Sequence, residues 1–97
     1  MNKEQSIVVR FEANMPDKTL PEKVDGMMSE VEELMEAMKG TDERQIATES
    51  TDVIIRCLGI ISMLGYDATE LFLEKVQTGI DKYNDTPWSA EEHYGTS

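Results

Sequence analysis

Apolar residues recur at helical spacing through the middle of the chain. Val24, Met27, Met28, Val31, Leu34, Met35 and Met38 follow one another by three or four positions, which puts them in a single stripe along one helix. The stretch TLPE precedes the stripe, with Thr19 as N-cap and Glu22 three residues on as its reciprocal partner; Pro21 is tolerated in a first helical turn. Gly40 ends the helix, and Thr41 or Asp42 can cap the next, which runs from about Glu43 to Leu64. The first half of that helix is amphipathic. Its second half is apolar nearly all round, with Val53, Ile54, Ile55, Cys57, Leu58, Ile60 and Ile61. A helix apolar on every side is expected to be buried on every side. The few short helices of one chain can hardly surround it, so a helix-rich oligomer is expected, a homodimer or a homotetramer built from dimers.

Gly65 stops the second helix, and DATE (Asp67 to Glu70) offers a second capping box. Leu73, Val76, Ile80 and Tyr83 then form a seam that ends at NDTP. The first fifteen residues are ambiguous. Ile7, Val8 and Phe11 can share a face of a short helix, while SIVVRF has the β-branched content of a strand. No second strand candidate exists to pair with it, so a helix is favoured. The expected fold is all-α: an antiparallel bundle of three main helices plus a short N-terminal helix, its core completed by dimerisation. One domain covers residues 1–84. Residues 85–97 lack periodicity and are expected to be a flexible tail, or to dock through Trp88 on a partner.

Composition sharpens this picture. Ninety-seven residues suit one domain, and an apolar fraction of 39% is low for a small globule that folds alone. Nine basic against twenty acidic residues give a net charge of −11. Such a charge disfavours a nucleic-acid backbone or an anionic membrane as partner and suits the binding of cations. The lone cysteine, Cys57, allows no intrachain disulfide and reads as a small buried hydrophobe. The N-terminus lacks the features of a signal peptide, and the run from Val53 to Leu64 is too short, and interrupted by Arg56, to span a bilayer. A cytoplasmic location is expected. His93 stands alone in the polar tail, so the Glu-x-x-His pairs of a di-iron bundle are missing from the sequence. There is also no phosphate-binding P-loop, GxGxxG or EF-hand pattern.

The carboxylates carry the candidate chemistry. Glu49 and Asp52 lie one helical turn apart at the mouth of the most apolar helix, and Glu30 and Glu33 have the same spacing on the helix before it. The pairs lie at similar distances on either side of Gly40. At a rise of about 1.5 Å per residue, antiparallel packing brings them to similar heights. Four converging carboxylates repel one another unless a hard divalent cation binds them, and Mg²⁺ takes oxygen ligands while keeping waters that a phosphate oxygen can replace. Chance alone produces further acidic pairs in so acidic a chain, such as Glu22/Asp25 and Glu33/Glu36, and a helical wheel turns Glu30 and Glu33 away from the Met/Val stripe, as a solvated face would be.

EVEELMEAM followed by ESTDVIIRCLGI resembles the ExxE…ExxD signature of the all-α nucleoside triphosphate pyrophosphohydrolases, the group of MazG-like proteins, dimeric dUTPases, dCTP pyrophosphatases and phosphoribosyl-ATP pyrophosphohydrolase. The resemblance covers roughly Leu20 to Tyr83. It implies that Glu30, Glu33, Glu49 and Asp52 ligate Mg²⁺, or Mn²⁺, and that Lys75 and Lys82, on one face of the third main helix, meet the substrate's phosphates. As plain surface residues, these lysines would simply lie opposite the Leu73/Val76/Ile80 seam. The family often carries Asn near Gly79, so base and sugar recognition are left unassigned. The implied reaction is hydrolysis of a nucleoside triphosphate to the monophosphate and pyrophosphate in nucleotide-pool clean-up, with Glu33 as general base and Glu36, one turn on, as the second candidate. The competing expectation is a non-catalytic acidic helical module, a nucleic-acid mimic that occupies a basic surface, or a family member that binds nucleotide without turnover.

Overall fold

The computed structural model describes residues 2–83. The expectations about residues 85–97, Trp88 and His93 therefore lie outside the described residues. Four helices follow one another: α1 (Lys3–Glu12), α2 (Leu20–Ala37), α3 (Glu43–Met63) and α4 (Ala68–Tyr83). No strand occurs among the described residues, so the N-terminal ambiguity resolves to helix.

The helix boundaries follow from the capping chemistry. Thr19 accepts from the Glu22 backbone N–H and Glu22 accepts from that of Thr19, closing the capping box ahead of α2. Asp42 caps α3 by accepting from Gln45 N at 3.1 Å. Gly65 takes a positive φ of 84° just past the end of α3, the conformation that a side chain disfavours. Asp67 accepts from Glu70 N at 3.0 Å at the start of α4.

The packing of α1 departs from expectation. Ile7 and Phe11 are exposed, and the buried stripe is Gln5, Val8 and Glu12, at i, i+3 and i+7. Two of these three are polar, and each is accepted inside because it is fully partnered. Asn2 caps α1 and forms a capping box with Gln5. The Gln5 side chain also donates to Ser62 Oγ at 3.0 Å and to the Tyr66 carbonyl at 2.8 Å, and it accepts from Ala68 N at 2.7 Å. One side chain thus fastens α1 to the end of α3 and the start of α4.

The most extensive helix–helix contact is that of α2 with α3; α1 packs on α3, and α4 touches α3 least. The apolar core is thin. Val8, Ala37 and Ala68 are its buried hydrophobic residues, while Met28, Met35, Met38, Ile54 and Phe72 are exposed. Within one chain the apolar half of α3 is left partly open, and Ile54 is 57% exposed. The Met stripe of α2 is likewise open over much of its length. No helix among the described residues is long and apolar enough to cross a membrane.

Candidate metal centre

Glu30 and Glu33 from α2 and Glu49 and Asp52 from α3 converge. Each offers a carboxylate oxygen, and these oxygens all lie within 4.8 Å of one another. The three-residue spacing puts each pair on one helix face, and the close packing of α2 on α3 sets the pairs against each other. An octahedral Mg²⁺ places opposed oxygens about 4.2 Å apart. The set is therefore slightly wider than a closed shell, a gap that side-chain torsions can close.

Two features separate this cluster from an ordinary acidic surface. First, Glu30, Glu49 and Asp52 are half-buried, and only Glu33 is exposed, at the rim. Second, Glu30 Oε2 and Glu49 Oε2 are buried with no hydrogen-bond partner among the described residues. Orphaned carboxylate oxygens are costly in a fold unless a proton or a cation meets them. Burial first, then the Glu33 carboxylate and then Asp52 push the Glu30 carboxyl above its ordinary value, with Arg56 opposing. Burial also leads in raising Glu49, followed by the Glu33 and Asp52 carboxylates. The donor set, all hard oxygens around two orphaned atoms, fits a hard divalent cation.

The other candidate residues are placed less centrally. Glu36 is exposed and pairs with Lys39 at 2.9 Å. It also lines, with Glu33, Ala37, Gly40, Gln45 and Glu49, a cavity of about 370 Å³ that opens beside the carboxylates. That volume lies within the range of small-molecule sites. Lys75 lines a different cavity, formed with Leu58, Ile61, Leu71 and Phe72, and shares no lining residue with the first. Lys82 is exposed on the last turn of α4. The structure thus brings the four carboxylates and Glu36 to one place and sets Lys75 elsewhere on the chain.

A charged network borders the cluster, and local spacing gave no sign of it. Glu12, 6% exposed, pairs with Lys23 at 3.1 Å and with Arg56 at 3.6 Å. Arg56 donates to Asp17 Oδ2 at 2.8 Å and stands 3.7 Å from Glu30 Oε1. A Cβ at Gly59 would overlap the Glu12 carboxylate, so only glycine lets that carboxylate lie against α3. The one sequence signal for this network was Arg56 itself, a charge set into an otherwise apolar run.

No family model, curated protein or solved structure matches the chain.

Proposed function

We propose that this protein is a Mg²⁺-dependent nucleotide pyrophosphohydrolase of the MazG-like type. The observation that carries the reading is the convergence of Glu30, Glu33, Glu49 and Asp52 around two buried oxygens that lack partners. A solvated acidic face has no need to bury carboxylate oxygens, whereas a cation site does. Antiparallel packing of α2 on α3 belongs to this reading. Arg56 lies against Gly26 and Glu30, and Gln45 shares a cavity with Glu36 and Ala37, so later positions on α2 meet earlier ones on α3.

A bound divalent cation would offset phosphate charge and lower the pKa of a water on it. The protein's own groups would do the rest. Glu30, Glu49 and Asp52 orient the site. Glu33, the exposed member, faces the cavity and takes the proton as water oxygen bonds to the α-phosphorus. The bond from that phosphorus to the bridging oxygen breaks, and pyrophosphate leaves. Glu36 lies within the same cavity as the second candidate base, held by Lys39. The thin core and the exposed Met28, Met35, Met38 and Ile54 favour a homodimer or homotetramer. In this reading Lys75 and Lys82 are the groups that would meet substrate phosphates.

The test is pyrophosphate release by the purified protein over a panel of ribo- and deoxyribonucleoside triphosphates, with Mg²⁺ and then with EDTA. Release of equal amounts of monophosphate and pyrophosphate that EDTA abolishes supports the reading. No turnover on any nucleotide contradicts it and favours an acidic binding module or a nucleotide-binding relative without activity.

A further inference from the structure

Arg56 is not one of the four converging residues, yet it lies one turn along α3 from Asp52 and two turns from Glu49. Its side chain is 17% exposed, too buried for a mere solvated charge. The guanidinium works in two directions. Nη1 donates to Asp17 Oδ2 at 2.8 Å and stands 3.6 Å from Glu12 Oε2, both of them outside α2 and α3. Nε stands 3.7 Å from Glu30 Oε1. The other oxygen of the same carboxylate, Glu30 Oε2, is buried and has no hydrogen-bond partner among the described residues. The two oxygens of Glu30 are therefore distinguished: one faces a fixed positive charge and the other is left for something else.

We infer that Arg56 is the positioning residue of the cation site: it holds Glu30 Oε1 so that Oε2 is presented to the cation, and Asp17 and Glu12 hold Arg56 in turn. This rests on the cation-site reading above. The role calls for arginine, because a planar fork reaches Asp17 and Glu30 at once while the ammonium of lysine is a single point. The surroundings are cut to fit it. A Cβ on Gly26 would come within 3.0 Å of Asp17 Oδ2 and 3.3 Å of Arg56 Nη1, so this glycine leaves room for the pair. On the far side, Lys23 binds Glu12 at 3.1 Å and fixes the carboxylate that Arg56 leans on. The segment from α1 to α2 thereby becomes part of the cation site without touching it. By linkage, cation binding tightens the docking of that segment as much as the docking tightens cation binding.

Charge and position make opposite predictions, which allows a decision. A guanidinium near a cation repels it, so if charge dominated, Arg56→Gln would bind metal more tightly than the wild type. If position dominates, Arg56→Lys, which keeps the charge and loses the fork, binds more weakly. The experiment is titration of the metal-free, full chain with Mn²⁺, followed by electron paramagnetic resonance, with melting in EDTA recorded for each variant. We expect Arg56→Lys to weaken Mn²⁺ binding by about tenfold, the low end of what loss of a group supporting a metal ligand does. Asp17→Asn should give a smaller loss in the same direction. Unchanged Mn²⁺ binding by a folded Arg56→Lys with a lowered melting temperature would reduce Arg56 to a structural role and overturn the inference, as would tighter binding by Arg56→Gln. Should Arg56→Lys fail to fold, Asp17→Asn decides: weaker binding supports the arrangement and unchanged binding overturns it. A wild type that binds no Mn²⁺ would remove the cation site itself, and the inference with it.

Discussion

The protein buries polar side chains at two places, and it treats them in opposite ways. At the joint of α1 with α3 and α4, Gln5 is fully enclosed, and its amide is satisfied by Asn2, Ser62, Tyr66 and Ala68. Between α2 and α3, Glu30 and Glu49 each bury an oxygen that has no hydrogen-bond partner among the described residues. A satisfied polar group inside a fold holds parts together; an unsatisfied, charged one destabilises it until a ligand arrives. The contrast separates a structural device from a binding site by bonding rather than by residue type. The Arg56 network lies between these extremes, with Glu12 paired twice and Glu30 paired on one side only.

The largest effect is expected at Glu49. Glu49→Gln should lower pyrophosphate release by more than about a hundredfold, beyond what loss of a group behind a metal ligand does. The same change should leave the fold intact or raise its melting temperature in EDTA. The sign follows from the shift. Burial raises the folded-state pKa of Glu49 above its ordinary 4.5, so its ionised form penalises the metal-free fold at neutral pH. The stability advantage of Glu49→Gln over the wild type should therefore be greatest at neutral pH. It should shrink as pH falls through the raised value and vanish below 4.5, where the wild-type carboxyl is protonated in both states. A Glu49→Gln protein that turned over nucleotide at the wild-type rate would show that the residue is no metal ligand.

Gln5 should respond in the reverse manner. Gln5→Ala strands the buried Ala68 N–H, removes the partner of the Tyr66 carbonyl and should cost about 2 kcal/mol of stability, read by urea denaturation, with Mg²⁺ affinity of the folded protein unchanged. Loss of Mg²⁺ affinity without loss of stability would mean that this joint, too, belongs to the site. A smaller effect is expected at Gly59. Gly59→Ala drives a methyl group into the Glu12 carboxylate, which is pinned by Lys23 and Arg56, and should cost about 2 kcal/mol on thermal melting. A neutral result there would show that Glu12 swings out freely and holds nothing.

The sequence displayed these two regions unequally. The helices were legible because their ends carry local chemistry: Thr19 with Glu22, Asp42, Gly65 and Asp67 act within three or four residues of themselves. The four carboxylates were legible for the same reason, since two equal spacings on either side of Gly40 need only a turn to bring them together. Gln5 and Arg56 act across the fold. The distant partners of Gln5 lie 57 to 63 positions away and those of Arg56 26 to 44, and no periodicity marks them. Periodicity also misdirected the reading of α1, where Ile7 and Phe11 look like the inward face. A fully bonded Gln5 and a paired Glu12 take that place instead. Much of the Met stripe and Ile54 are open to solvent in a single chain, because one layer of short helices cannot enclose them.

If Glu30, Glu33, Glu49 and Asp52 form a cation site, calorimetric titration of Mg²⁺ into the metal-free protein detects it. The titration would be run near neutral pH and again nearer the raised carboxyl values, in two buffers of different ionisation enthalpy. Saturable binding that releases protons, weakens as pH falls and disappears in Glu49→Gln is the predicted result. No saturable binding in the wild type, or binding that Glu49→Gln leaves unchanged, would contradict it.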